Sequence, residues 1–202
     1  MTLTSSQLKT IWSRLQRAGA ALFQRAPGGH GETIAAGLAG LPPLVPPRPP
    51  EPRQPDLGPA LLDVKPDPLR RLLRDLQPML CWTLQDPPQP HHLSSRGYVE
   101  LIGPDGIQKT DGFRWGLFWQ QAQSRYPLHR HQAKELYYVL SGTANWLREG
   151  ERPTRPSPGS WILHSSGEGH GLITAEEPVL AFWSWEGDLD PDSYTFLRPE
   201  AL

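Results

Sequence analysis

The stretch Tyr126-Pro127-Leu128-His129-Arg130-His131-Gln132-Ala133-Lys134-Glu135-Leu136-Tyr137 decides how the rest of the chain is read. Strand side chains alternate between two faces, so a β reading puts residues 129, 131, 135 and 137 on one side. Two imidazoles, a carboxylate and a phenol then project together, and this is a donor set for a metal ion. His-x-His suits the task because positions i and i+2 stand side by side, whereas i and i+1 point apart. His170, which ends the run from Pro158, is the candidate for a third imidazole. Tyr126 has the opposite parity and joins the others only if the chain bends at Pro127. The other face carries Leu136, Tyr138 and Leu140, which is too apolar to meet water, so something must cover it.

Outward from that stretch the chain reads as mainly β. Its 24 prolines, 19 glycines and 8 tryptophans disfavour a helical bundle and favour short strands joined by turns. Strand candidates are Tyr98–Gly103, Arg114–Gln121, the histidine strand through Ser141, Thr143–Arg148, Ser160–Leu163 and Val179–Trp185. About seven strands at regular spacing argue for a sandwich or barrel over residues 96–202.

Residues 1–95 read as a helical, proline-rich extension. Ser5 or Ser6 can cap a helix whose Leu8, Ile11, Trp12, Leu15 and Leu22 follow the 3.6-residue period and which ends before Pro27. A weakly helical piece follows from Gly31 to Leu41, and Pro42 to Pro59 reads as a linker or surface strap. Asp67-Pro68 opens a helix with Leu69, Leu72, Leu73 and Leu76 on one face, extended or restarted over Pro78–Leu84. These leucine stripes are the natural cover for the apolar side of the histidine strand, and they offer a lid for the barrel mouth.

Charge and cysteine usage bound the function. With 20 basic and 21 acidic residues the formal net charge is -1, which gives no bulk field to draw nucleic acid or an anionic membrane. No apolar run is long enough to span a bilayer, and the N-terminus lacks a secretory pattern. The single cysteine, Cys81, excludes an internal disulfide, suits a reducing cytoplasm and reads as buried filler. His91 and His92, adjacent in a polar loop, read as surface residues. The expectation is a cytoplasmic monomer or homodimer acting on a small molecule.

The histidine spacing resembles the cupin superfamily of small β-barrels. The first cupin motif, His-x-His, three or four residues, Glu, six residues and Gly, is met by His129, His131, Glu135 and Gly142. The second, Gly, five residues, Pro-x-Gly, two residues and His, is met by Gly159, Gly167 and His170. Ser165 stands where proline is usual and Gln123 where the first motif has glycine; both departures affect turns rather than ligands. The resemblance implies a jelly-roll barrel. Neutral imidazoles with a carboxylate suit one divalent transition metal ion, iron, manganese or zinc before nickel or copper. His164 is expected behind the ligands or at the surface, swung away by the Ser165-Ser166-Gly167 turn.

Within that superfamily, Tyr126, His129, His131, Glu135, Tyr137 and His170, with Trp183 and Trp185, resemble the dimethylsulfoniopropionate (DMSP) lyases of the DddQ type. The resemblance implies metal ligation by His131, Glu135 and His170, with His129 a ligand or close neighbour. It also implies catalysis by Tyr137 as the base that removes the proton alpha to the carboxylate, with Tyr126 as the second active-site tyrosine. A sulfonium carries no hydrogen to donate, so its recognition falls to aromatic faces, for which Tyr126, Trp183 and Trp185 are the candidates beside His129. A dioxygenase using the same ligands and a non-catalytic sensor barrel are the alternatives.

Overall fold

The computed structural model describes residues 3–47, 55–65, 67–85 and 96–197. His91 and His92 lie outside them. The helices are α1 (Ser5–Phe23), α2 (Glu32–Gly40), α3 (Gly58–Leu62) and α4 (Asp67–Leu76). The strands are β1 (Thr83–Gln85), β2 (Arg96–Ile102), β3 (Arg114–Gln120), β4 (Arg125–Arg130), β5 (Lys134–Ser141), β6 (Ala144–Arg148), β7 (Trp161–His164), β8 (His170–Thr174), β9 (Val179–Glu186) and β10 (Thr195–Phe196).

Two antiparallel sheets face each other, one ordered β1-β2-β3-β9-β5-β7 and the other β10-β4-β8-β6. This is the jelly roll that the cupin spacing implies. The stretch from Tyr126 to Tyr137 is not one strand, however. β4 belongs to the four-stranded sheet and β5 to the six-stranded one, and residues 131–133 turn the corner between them. Residues 129, 131, 135 and 137 nevertheless converge, because both sheets present their inner face to the same interior. Gly142 ends β5 at φ 74°, where an added Cβ would lie 1.9 Å from the Pro178 carbonyl oxygen, so only glycine fits. Gln123, at the usual glycine position, adopts φ 56°.

The middle of the six-stranded sheet is buried on both faces, as the unbroken burial of β3 shows. Its inner face joins Phe118, Tyr137, Val139, Trp146, Trp183 and Trp185 into one core. Its outer face joins Trp115, Leu136, Leu140 and Phe182 to Trp12, Leu15, Phe23, Leu38, Leu73 and Leu76 of the helices. Phe23 meets the Trp161 ring edge-on at 5.1 Å. Leu136, Tyr138 and Leu140 are therefore covered by the leucine stripes, but the described helices lie on the side of the sheet away from Glu135 and Tyr137 and do not roof the barrel mouth. A buried glutamine pins α1: Gln108 Oε1 accepts from Trp12 Nε1 at 2.8 Å and Gln16 Nε2 at 3.0 Å, while its Nε2 donates to the Pro42 carbonyl at 2.9 Å.

Several local expectations shift. The α1 cap is Thr4, whose hydroxyl accepts from Gln7 N while the Gln7 side chain accepts from Thr4 N, a reciprocal box that Ser5 and Ser6 do not form. Asp67 is the first residue of α4 rather than its cap, and it pairs with Arg70 and Arg71. The helix is extended past Pro78 only by one 3-10 turn, Gln77–Met79; the chain then leads into β1, which pairs with β2, so the sheet begins before residue 96. Cys81 is exposed rather than buried. The segment from 159 to 170 is interrupted, with β7 ending at His164 and β8 starting at His170.

Candidate metal centre

The centre forms where β4 and β5 diverge. In the six-stranded sheet Glu135 pairs with His164 on one side and Trp185 on the other, and the next inward row sets Tyr137 between Ile162 and Trp183. Trp183 pairs in turn with Gly116 on β3; a Cβ there would sit 2.9 Å from its Nε1, so glycine leaves room for the indole, which donates to the Leu117 carbonyl at 3.2 Å. From the opposite sheet, His129 pairs with His170. The β4–β8 register shifts between Tyr126 and His129, which is the bend that Pro127 had to supply. Tyr126 is thereby brought to the site, its ring 4.2 Å from that of His129.

His129, His131, Glu135 and His170 are all buried, and one donor atom from each lies within 4.8 Å of the others. Each imidazole is fixed by backbone within two residues: Nδ1 of His129 on the Pro127 carbonyl (2.9 Å), of His131 on Ala133 (3.0 Å) and of His170 on Glu168 (2.9 Å). A carbonyl only accepts, so the hydrogen of each neutral ring sits on Nδ1 and Nε2 is left as a lone pair. Yet Nε2 of His131 and of His170 face Glu135 Oε2 at 3.2 and 2.9 Å. Acceptors set against acceptors in a buried site call for positive charge between them. One divalent ion satisfies that requirement, and the donor chemistry fits it.

Electrostatics agree. Burial alone would push the Glu135 carboxyl up, but positive charge on its His131 and His170 side holds it well below the usual carboxylate range. Burial, then the neighbouring His170, holds His129 well below the ordinary histidine value, so it stays neutral. Trp185 Nε1 donates to Glu135 Oε1 at 2.8 Å and fixes that carboxylate. Trp185 is thus an orienting group for Glu135 as well as a wall of the cavity.

That cavity, about 200 Å³, is lined by Tyr98, Phe118, Tyr126, Glu135, Tyr137, Trp183, Trp185 and Tyr194 among others. Of the four cluster members only Glu135 is among its lining residues; His129 is sandwiched between the rings of Tyr126 (4.2 Å) and Tyr194 (4.7 Å). The two phenols differ. Burial, then the Glu135 carboxylate, pushes Tyr137 well above its ordinary value. Burial also raises Tyr126, to about 12, but there the Arg96 guanidinium and the hydroxyl of Tyr194 oppose it. The Tyr194 hydroxyl donates to the Tyr126 oxygen at 2.7 Å, and Arg96 stands over the Tyr126 ring at 4.1 Å.

The profile of the DMSP lyase family matches residues 51–181, about two thirds of the chain. The chain belongs to the DMSP lyase family. Members of that family are carbon–sulfur lyases. The curated relative DMSP lyase DddQ of Ruegeria pomeroyi is 38% identical over 90 residues, a stretch that spans only 45% of either protein. The crystal structure of DMSP lyase DddQ from Ruegeria pomeroyi DSS-3 superposes with a TM-score of 0.65 at 26% identity, covering 96% of this chain and 99% of that one. A chain solved in a study of the DMSP lyases RdDddP and RnDddQII shares the fold, with a TM-score of 0.70 at 22% identity over 94% of this chain and 98% of its own.

Sequence reasoning placed the four buried donors, both tyrosines and both tryptophans, and the DMSP lyase fold brings all eight together. It missed Arg96, Phe118 and Tyr194, which no spacing motif marks. His164 is not one of the four clustered donors. It is fully buried, stacked on His170 at 4.0 Å between ring centres, with Nδ1 3.2 Å from Glu168 Oε1.

Proposed function

We propose that this chain is a metal-dependent lyase that cleaves DMSP by β-elimination into dimethyl sulfide and acrylate. The observation that carries the reading is the buried His129, His131, Glu135 and His170 set, packed against an aromatic cavity into which Tyr137 projects. Iron, manganese and zinc fit these donors best. Such an ion supplies Lewis acidity and a positive charge that lowers the pKa of a phenol beside it.

Tyr137 is the base. It follows Glu135 by two residues on the same inner face, and as phenolate it takes the proton from the carbon next to the substrate carboxylate. The electron pair released forms the double bond of acrylate, the carbon–sulfur bond breaks, and sulfur leaves with that bond's electrons as neutral dimethyl sulfide. The proton on Tyr137 then returns to solvent. Tyr126, Trp183 and Trp185 shape the pocket and exclude water. The helices α1 to α4 serve as a packing element for the barrel within one unit, and the protein works in the cytoplasm as a monomer or homodimer.

Purified protein loaded with each ion in turn should release dimethyl sulfide and acrylate in equal amounts, with or without oxygen. Tyr137→Phe should keep its metal and lose about 10³-fold in kcat, a magnitude ordinary for a general base. No release from metal-replete protein overturns the lyase reading; an unimpaired Tyr137→Phe overturns the base alone.

A further inference from the structure

Among the described residues two buried arginines lie next to the cavity, and only one of them has an acidic partner there. Arg114 is paired with Glu100 at 2.5 Å and with Asp105 at 2.9 Å. Arg96, the first residue of β2, is 7% exposed and lines the same cavity as Glu135 and Tyr137, yet among the described residues no carboxylate lies within ion-pair distance of it. Its Nε is buried with no hydrogen-bond partner among the described residues. Two carboxylates line this cavity and both are committed: Glu100 is paired with Arg114, and Glu135 has Oε1 on Trp185 and Oε2 in the donor cluster beside His131 and His170. A buried guanidinium facing no anion is expensive, and its planar fork matches a carboxylate.

We propose that Arg96 receives the carboxylate of the substrate and thereby orients a zwitterion in the cavity. The inference rests on the lyase reading for the sulfonium half of the substrate and on the geometry alone for the carboxylate half. Arg96 lies over Tyr126 at 4.1 Å and within 6.0 Å of the Phe196 ring, so the carboxylate end is held at the Tyr126 side of the pocket. Like charge repels the sulfonium from Arg96 and directs it along Phe118, Tyr137 and Trp183, aromatic walls that need no donor from it. The carbon that loses its proton then sits between the anchored carboxylate and the departing sulfur. Arg96 is on this account a specificity-determining residue, admitting sulfonium carboxylates and discriminating against sulfonium ions that lack the acid.

The test compares wild type with Arg96→Met and Arg96→Lys, each at measured and matched metal content, using three ligands: DMSP, propionate (acid without sulfonium) and trimethylsulfonium (sulfonium without acid). Arg96→Met should raise KM for DMSP and the inhibition constant of propionate by about 10- to 100-fold, the usual loss for a charged hydrogen-bonded pair. Trimethylsulfonium inhibition should be unchanged and kcat should move by less than KM, while Arg96→Lys recovers part of the loss. Unaltered propionate binding in Arg96→Met overturns the assignment. So does an equal loss for propionate and trimethylsulfonium, which would make Arg96 a packing residue under Tyr126. Binding of propionate followed by calorimetry separates the two readings: Arg96-dependent binding without any dimethyl sulfide release supports the anchor while defeating the lyase, and normal release with Arg96-independent binding does the reverse.

Discussion

The two faces of β5 carry opposite duties. Glu135, Tyr137 and Val139 look inward, where buried polar groups crowd into a donor set that fits a divalent ion; Leu136, Tyr138 and Leu140 look outward into a core shared with the helices. Inward, electrostatic need and burial are set against each other. Outward, burial alone governs. Neighbouring residues on one strand should therefore respond to substitution in different currencies, one in chemistry and the other in stability.

The sharpest way to break that comparison is to truncate adjacent positions. Glu135→Ala should abolish metal retention and lower turnover by at least about 10³-fold, checked by metal analysis and headspace assay, because it removes the only charged donor of the set. Leu136→Ala, one residue on, should cost about 2 to 5 kcal/mol of unfolding free energy by denaturant titration, with kcat and metal content unchanged below the transition. An active Glu135→Ala protein, or an inactive but stable Leu136→Ala protein, would erase the distinction.

Acid should attack the inner face first. Burial, then the neighbouring His170, lowers His164 from an ordinary 6.5 to about 4, so the folded state binds fewer protons than the unfolded chain between those values. Stability of the metal-free protein therefore declines as pH falls from about 6.5 towards 4, by up to roughly 3 kcal/mol. Glu135, whose folded pKa is depressed, adds to the loss below about 4.5, as its stabilising charge is removed. Urea midpoints at pH 7, 5.5 and 4.5 measure this. His164→Leu should flatten the upper part of the slope, and an unchanged slope would show that the ring is not held neutral.

The smallest effect lies outside both faces. Gln123 holds φ 56°, a left-handed conformation at the position where the motif has glycine. Gln123→Gly should stabilise by about 1 kcal/mol in thermal melts and leave kcat untouched. A loss of stability would mean that the Gln123 side chain contributes contacts that outweigh the relieved backbone.

Legibility in the sequence followed range of contact. His129, His131, Glu135 and Gly142 lie close together in the chain, so alternation and spacing located them even though the stretch is two strands rather than one. His170, 35 residues from Glu135, was found by its motif. Tyr126 needed a bulge that Pro127 hinted at and only the β4–β8 register reveals. Arg96 and Tyr194 reach the site across sheets from distant segments with no motif of their own, and only tertiary packing places them. The reading of Cys81 failed for a related reason: an apolar-leaning residue type fixes no burial when its neighbours turn from a short helix into an edge strand.

The pinning of each imidazole to a carbonyl two residues away bears on how the site is filled. A side chain immobilised on binding forfeits about 0.5 to 1.5 kcal/mol in rotamer freedom. For His129, His131 and His170 that entropy is surrendered when the barrel folds, by three short backbone hydrogen bonds. An ion arriving there would meet ligands already aimed, and its affinity would not be diminished by having to order them.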